Sequence, residues 1–217
     1  MASNAGGRGR FITFEGGEGG GKSTQSKLLL PWLSERGVHA VATREPGGSP
    51  GAERIRELLV TGDAGRWAPM TEVLLHYAAR QDHIQRIIEP ALTAGRWVVC
   101  DRFFDSTAAY QGHGHGVALD FIETLRNKIV GAAHRPDLTL ILDLPADEGL
   151  RRSQSRANTE RRYESMPIAF HQRLREGFQA IARQEPERCR VIDARQDIDA
   201  VQKQIRAVIV RRFELAA

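Results

Sequence analysis

Residues 16–23 read Gly-Gly-Glu-Gly-Gly-Gly-Lys-Ser, and few segments constrain a fold as tightly. The spacing is G-x-x-x-x-G-K-[ST], which works only where a strand delivers the chain into a glycine loop and a helix carries it out. Both flanks fit. Phe11-Ile12-Thr13-Phe14 alternates and is aromatic-rich, as a short buried strand is. Beyond the loop, Leu28, Leu29, Trp32 and Leu33 recur at helical spacing until Gly37. In such a turn the backbone N–H groups converge on phosphate oxygens at a helix N-terminus, where the helix dipole already favours negative charge. Lys22 is placed to bridge β- and γ-phosphates and the Ser23 hydroxyl to bind Mg²⁺. Gly16, Gly17, Glu18, Gly19, Gly20, Gly21, Lys22, Ser23 and Thr24 are therefore expected to hold ATP.

Further along, Val38 to Thr43 predicts a second strand, and Glu45-Pro46-Gly47-Gly48 forces a loop at its end. From about Thr71 to Leu92 the pattern is helical, with Leu74, Leu75, Ala78, Ile84, Ile87, Ile88 and Leu92 on one broad apolar face. Trp97–Cys100, Leu138–Leu144 and Cys189–Ile192 are apolar runs of the kind covered on both faces. Ile198, Val201, Ile205, Val208 and Ile209 mark a closing amphipathic helix. Strands alternating with helices predict an α/β fold, three-layer α/β/α with a five-stranded parallel sheet, and ligands at the strands' C-terminal ends. A chain of 217 residues suits one domain. The reading is a flexible tail over residues 1–9, a single domain over 10–217, and an arginine-bearing lid at about 151–164. The N-terminal segment lacks the apolar core of a signal peptide, and no apolar run approaches the roughly 20 residues of a spanning helix, so a cytoplasmic protein with no membrane partner is expected. Cys100 and Cys189 lie in strand-like runs and read as buried, unbridged thiols.

A glycine loop of this kind also serves switches and motors. No aspartate here is followed by glycine three residues later, and Asn127-Lys128 runs into Ile129-Val130, so guanine-nucleotide switches are disfavoured. Asp101, ending an apolar strand, is the preferred second carboxylate for the metal; Asp143 is its rival. Arg102 follows Asp101 and Arg44 ends the second strand, so both guanidiniums are expected in the crevice, where planar forks suit an acceptor phosphate. A phosphate acceptor needs no general base, since its second pKa near 6 leaves it a nucleophile at neutral pH. The net charge of +4 suits an anionic ligand and would suit nucleic acid equally. Stacking aromatics are sparse where the arginines gather, so no nucleic-acid partner is expected. His113-Gly114-His115 offers too few convergent ligands for zinc, and its glycines suggest a loose loop.

Phe14 to Gln25, Thr43-Arg44-Glu45-Pro46-Gly47-Gly48, Ala78-Ala79-Arg80, Asp101-Arg102-Phe103, and Ser106 with Ala109-Tyr110-Gln111-Gly112 together resemble the bacterial thymidylate kinases. The resemblance implies a P-loop nucleoside monophosphate kinase fold, transfer of the ATP γ-phosphate to dTMP with Mg²⁺, and a homodimer packed through helices. It implies that Glu18 faces the sugar 3′-hydroxyl, that Arg44 and Arg102 hold the acceptor phosphate, and that Arg80 bonds the thymine. It further implies that Tyr110 packs on the deoxyribose, that Gln111 helps to fix the base, and that Asp193-Ala194-Arg195-Gln196 is the adenine-side loop, Arg195 included. His76 stands where relatives carry Phe or Met against the thymine ring, with Tyr77 beside it. Some relatives carry a catalytic arginine directly after the P-loop acid, where this chain has Gly19. The lid's Arg156 and Arg162, or Arg161, are then expected to join Lys22 and Arg102 in catalysis. The alternatives are a kinase for another nucleoside monophosphate and, in a different class, a nucleic-acid-stimulated ATPase.

Overall fold

The computed structural model describes residues 7–63, 65–154 and 162–215. Five parallel strands, β1 (Phe11–Glu15), β2 (Ala40–Arg44), β3 (Trp97–Asp101), β4 (Leu138–Asp143) and β5 (Cys189–Asp193), form one sheet in the order β2-β3-β1-β4-β5. The expected α/β/α architecture is what the sequence folds into. Alternation along β1 divides the core. Ile12 and Phe14 join Val99, Leu140 and Leu142 on one face, beneath α1 (Lys22–Ser34) and α9 (Ile198–Phe213), which contribute Leu29, Leu33, Val201, Ile205 and Ile209. Phe11 faces the other way with Val98 and Cys100, against Ile84, Ile88, Leu92, Phe103 and Phe104. On that same side Ile141 and Cys189 pack on Phe170, Leu174 and Phe178 of α8 (Ile168–Gln184). A polar pair inside the sheet is satisfied internally, the Thr13 and Thr139 hydroxyls lying 2.7 Å apart on paired strands. Cys100 and Cys189 are free and buried, and burial pushes the Cys189 thiol up to about 12. Among the described residues no helix is long and apolar enough to cross a membrane.

Three expectations are corrected. The helical stretch expected from about residue 71 to 92 is present, as α3 (Pro69–His83), a π-helical turn at Ile84–Ile88 and α4 (Glu89–Thr93), but with a different buried face. Its buried side in α3 runs through Val73, Tyr77 and Arg80, while Leu74 is left 50% exposed. The predicted stripe missed because Glu72 and Arg80 go inside as members of ion pairs, turning the helix away from its most apolar aspect. The segment around His113 is no loose loop: α5 (Phe104–Thr107) continues into a π-helical stretch, Ala108–Gly114. Its glycines are there for packing. A Cβ on Gly114 would lie 2.5 Å from the Phe170 ring, and one on Gly112 would lie 2.4 Å from Leu119. At the N-terminus, Gly9 donates to Leu92 O at 2.8 Å and Arg8 pairs with Asp137, so the expected tail is already anchored there, because Gly9 fits where a Cβ would strike Arg96 O. Residues 1–6 of that tail lie outside the described residues.

The remaining helices are α2 (Pro50–Val60), α6 (Leu119–Ile129) and α7 (Ala146–Gln154).

Candidate active site

The glycine loop leaves β1 and closes on the N-terminus of α1. Two of its glycines are dictated by contact as well as by φ. Gly16 has φ 129° and a Cβ there would lie 2.4 Å from Leu142 O; Gly19 has φ 69° and a Cβ there would lie 2.1 Å from Gly149 O. Lys22 Nζ donates to Gly17 O at 2.6 Å and is buried across the mouth of the loop. Desolvation and the neighbouring Arg102 guanidinium push its ammonium down to about 8, against the pull of Glu18, Asp101 and Glu15. Ser23 Oγ donates to Asp101 Oδ2. The rival carboxylate is taken: Asp143 accepts two hydrogen bonds from Arg175, at 2.8 and 2.7 Å. Hydroxyl and carboxylate oxygen beside a phosphate-binding loop are hard donors of the type Mg²⁺ prefers, so the pair Ser23 and Asp101 fits that ion.

A cleft at the C-terminal ends of β1, β2 and β3 is lined by Glu18, Lys22, Ser23, Arg44, His76, Arg80, Asp101, Arg102, Tyr110 and Gln111. The sequence therefore scattered these residues along the chain and the fold gathers them. Arg102 departs from β3 in the left-handed region, φ 69°, a conformation that costs a non-glycine residue on the order of 1 kcal/mol or more. Neighbours over-determine it. Its N–H donates to Phe14 O at 2.9 Å, Nη1 donates to Gly16 O at 3.0 Å and to Ser106 Oγ at 3.2 Å, and Nη2 reaches Glu18 Oε1 at 3.2 Å. Tyr110 donates its hydroxyl to the same Glu18 oxygen while its ring carries the Arg102 guanidinium at 4.9 Å. Burial opposes ionisation of Glu18, yet Arg102 and Lys22 hold its carboxyl below the ordinary range.

Ser106 is itself held from below by a buried carboxyl. Glu15, the last residue of β1, accepts from Phe103 N at 2.7 Å and from Ser106 Oγ at 2.6 Å. Desolvation and the charge of Asp105 push Glu15 up to about 8. Arg44 is more exposed and pairs with Glu53 at 3.1 Å, whose carboxylate also accepts from Gly48 N at 2.8 Å, so β2's last residue and the following glycine turn are tied together. At the cleft's far end Arg80 is wholly buried. Nε donates to Glu45 Oε2 at 2.8 Å, Nη2 donates to Thr107 Oγ1 at 3.1 Å, and Nη1 has no partner among the described residues. Glu45 is held in turn by His83, whose other nitrogen meets Thr43 Oγ1. Desolvation and the guanidiniums of Arg80, Arg162, Arg102 and Arg56 push the His76 imidazole down to about 3, so it is neutral.

Residues 14–205 match the family model described as Thymidylate kinase. The chain belongs to the thymidylate kinase family. It is 55% identical over 208 residues to the thymidylate kinase of Caulobacter vibrioides, covering 96% of this chain and 99% of that one. With the thymidylate kinase of a Bradyrhizobium species it shares 51% identity over 197 residues, 90% of this chain and 87% of the other. The crystal structure of thymidylate kinase from Ehrlichia chaffeensis superposes with a TM-score of 0.77 at 36% identity, over 93% of this chain and 99% of that one.

Within this thymidylate kinase fold some residues lie apart from the cleft or in unexpected company. Arg195 is on the turn after β5, outside the cleft's lining, and pairs with Asp193 through two side-chain hydrogen bonds at 2.9 and 2.7 Å. Arg162 lines the cleft, and its guanidinium is already engaged by neighbouring groups. It is 4% exposed, pairs with Glu72, and donates to Leu59 O and Asp63 O at 3.0 Å each. Glu72 attracts it because a carboxylate buried in the first turn of α3 requires a cation. Arg156 and Arg161 lie outside the described residues. The sequence reading missed Glu15, Glu45, Glu72 and Tyr163. The signal for Glu15 and Glu45 was present, since each is a carboxylate at a strand's C-terminal end beside a glycine-bearing turn.

Proposed function

We propose that the protein transfers the γ-phosphoryl group of ATP to dTMP, giving dTDP for dTTP synthesis. Membership of the thymidylate kinase family supports this, and one observation carries it to the residues: Glu18 is held by Arg102 and Tyr110 between the phosphate loop and the cleft that ends at buried Arg80. Glu18 then accepts from the sugar 3′-hydroxyl, and the Tyr110 ring packs on the deoxyribose. Arg44 and Arg102 hold the acceptor phosphate, which attacks without a general base. Arg80 bonds the base, Gln111 helps to fix it, and neutral His76 stacks without drawing a counter-ion into the cleft. On the donor side Gly16 to Thr24 cradle the triphosphate, Lys22 spans β- and γ-phosphates, and Arg195 flanks the adenine. Ser23 and Asp101 would hold Mg²⁺, which when bound neutralises charge on the phosphate oxygens. With Arg162 anchored, the remaining transition-state charge is assigned to Arg156 of the lid, residues 151–164, with Arg161 beside it.

The remaining assignments follow from the same reading. The protein acts in the cytoplasm, as a homodimer, on small-molecule substrates. No nucleic-acid partner is part of this reading: the cleft arginines Arg80 and Arg162 are buried against Glu45 and Glu72. Purified protein with Mg-ATP and a panel of dTMP, dUMP, AMP, GMP and shikimate tests the substrate. Phosphorylation of dTMP with the highest kcat/KM is expected; a higher value for any other acceptor overturns the assignment.

A further inference from the structure

Glu72 is 1% exposed and does not line the cleft, yet three side chains that do line it converge on its carboxylate. Arg162 Nη2 pairs with Oε1, while Gln111 Nε2 and the Tyr163 hydroxyl each donate to Oε2 at 3.0 Å. Gln111 Nε2 also donates to the Tyr163 oxygen at 3.1 Å. Burial and the Glu72 charge push the Tyr163 phenol well above its ordinary range, so it stays a donor. The two ends of a glutamine amide have nearly the same shape and opposite polarity, and surroundings decide which way round they sit. Here both neighbours claim the NH₂ end. A carboxylate can only accept, and the Tyr163 proton is already spent on it. The Gln111 oxygen is thereby turned elsewhere, and it is buried without a partner among the described residues.

We propose that Glu72 is a positioning residue for base selection: it fixes the Gln111 amide with its carbonyl oxygen free for the substrate, so that the enzyme reads a pyrimidine bearing N3–H and rejects one with a bare N3. The inference rests on dTMP being the acceptor. Two unpaired buried atoms belong to this end of the cleft, the Gln111 acceptor Oε1 and the Arg80 donor Nη1. Thymine offers a donor at N3 beside an acceptor at O4 and satisfies both. Cytosine offers an acceptor at N3 beside an amine and leaves both unsatisfied. Sites that must hydrogen-bond a substrate reject a mismatched analogue far more strongly than apolar pockets reject an extra methylene.

Glu72→Gln keeps the shape and removes the all-acceptor character. Arg162 would take the new amide oxygen, leaving NH₂ facing Gln111, whose amide then turns over and presents its own NH₂ to N3–H. Steady-state kinetics of the parent, Glu72→Gln and Glu72→Asp proteins with dTMP and dCMP at saturating Mg-ATP read this directly. In Glu72→Gln, kcat/KM for dTMP should fall roughly ten- to hundredfold, mainly through KM, while dCMP does not fall in parallel, so that the ratio shrinks at least tenfold. Glu72→Asp, still an acceptor, should keep the ratio near the parent's. Equal losses for both nucleotides in Glu72→Gln would mean a merely structural carboxylate and overturn the proposal. Should that variant fail to fold, NMR of the parent decides: the Gln111 side-chain NH₂ protons, assigned by their loss in Gln111→Leu, should exchange slowly both without dTMP and with it. Fast exchange or a large shift on dTMP binding overturns the proposal. A parent inactive on dTMP instead removes the acceptor reading and the base-edge assignment with it.

Discussion

Glu15 shows how one side chain ties the phosphate loop to the acceptor arginine. Its two oxygens hold Phe103 N and Ser106 Oγ, and Ser106 Oγ accepts from Arg102, so the strained turn at Arg102 rests on a carboxyl at the end of β1. With its folded pKa at about 8 against an ordinary 4.5, the protonated form is the one the fold favours. Its contribution to stability is therefore complete below about 4.5 and is lost as pH rises through about 8. Glu15→Gln mimics the protonated carboxyl at every pH. Thermal melts of the two proteins between pH 5 and pH 9 should nearly coincide at the acid end. The Glu15→Gln protein should gain on the parent by at least about 2 °C at the alkaline end, what roughly 1 kcal/mol does in a chain of this size. A constant difference across the range would assign Glu15 an ionised role. At this scale the sequence was legible wherever a short-range pattern fixes chemistry. Lys22, Ser23, Arg44, Asp101 and Arg102 all follow from a loop motif or a strand's end. Glu72 was not legible, since an acid in the first turn of a helix looks like an exposed dipole partner, and its cation, Arg162, comes 90 residues later.

The helical elements carry the same lesson in their packing. The stretch from Ala108 to Gly114 places Tyr110 and Gln111 in the cleft only because it can lie close against α8, and closeness is what Gly114 supplies. A glycine pair around a histidine reads in sequence as a flexible loop; of the neighbours that turn it into a tight helix, Leu119 is close in sequence but Phe170 lies far along the chain. Gly114→Ala is expected to destabilise the protein by about 1–3 kcal/mol through overpacking against the Phe170 ring. Because Tyr110 and Gln111 ride on that element, KM for dTMP should rise while KM for ATP stays near the parent's. Urea unfolding and the two KM values measure this, and an unchanged midpoint would show that α8 yields without cost. The π-helical turn at Ile84–Ile88 was equally hidden, since apolar residues continue through it at spacings that satisfy an ordinary helix.

At the scale of the whole molecule the sheet and the position of the cleft were legible, because apolar runs too uniform for a half-exposed sheet can only be the middle of a layered α/β fold. What covers the outer side of α3 was less plain, and it bears on assembly. Val73 and Tyr77 turn inward against Ile122 of α6, with the Tyr77 hydroxyl donating to Ile122 O at 3.1 Å, so α3 and α6 form one docked pair. On their outer aspect Met70 is 43%, Leu74 50% and Leu119 46% exposed. Large apolar side chains left in water on neighbouring helices mark an association surface more readily than a solvated one. The homodimer proposed above is accordingly placed on α3 and α6, α3 being the helix that also carries Glu72, His76 and Arg80. Sedimentation equilibrium of the parent should give about twice the chain mass, and Leu74→Glu, which sets like charges against each other across a two-fold interface, should give the monomer. Because a dimer that binds only folded chains stabilises them by mass action, the parent's melting temperature should rise with protein concentration and that of Leu74→Glu should not. A parent that sediments as a monomer at every concentration, or a Leu74→Glu protein that remains dimeric, would place the surface elsewhere.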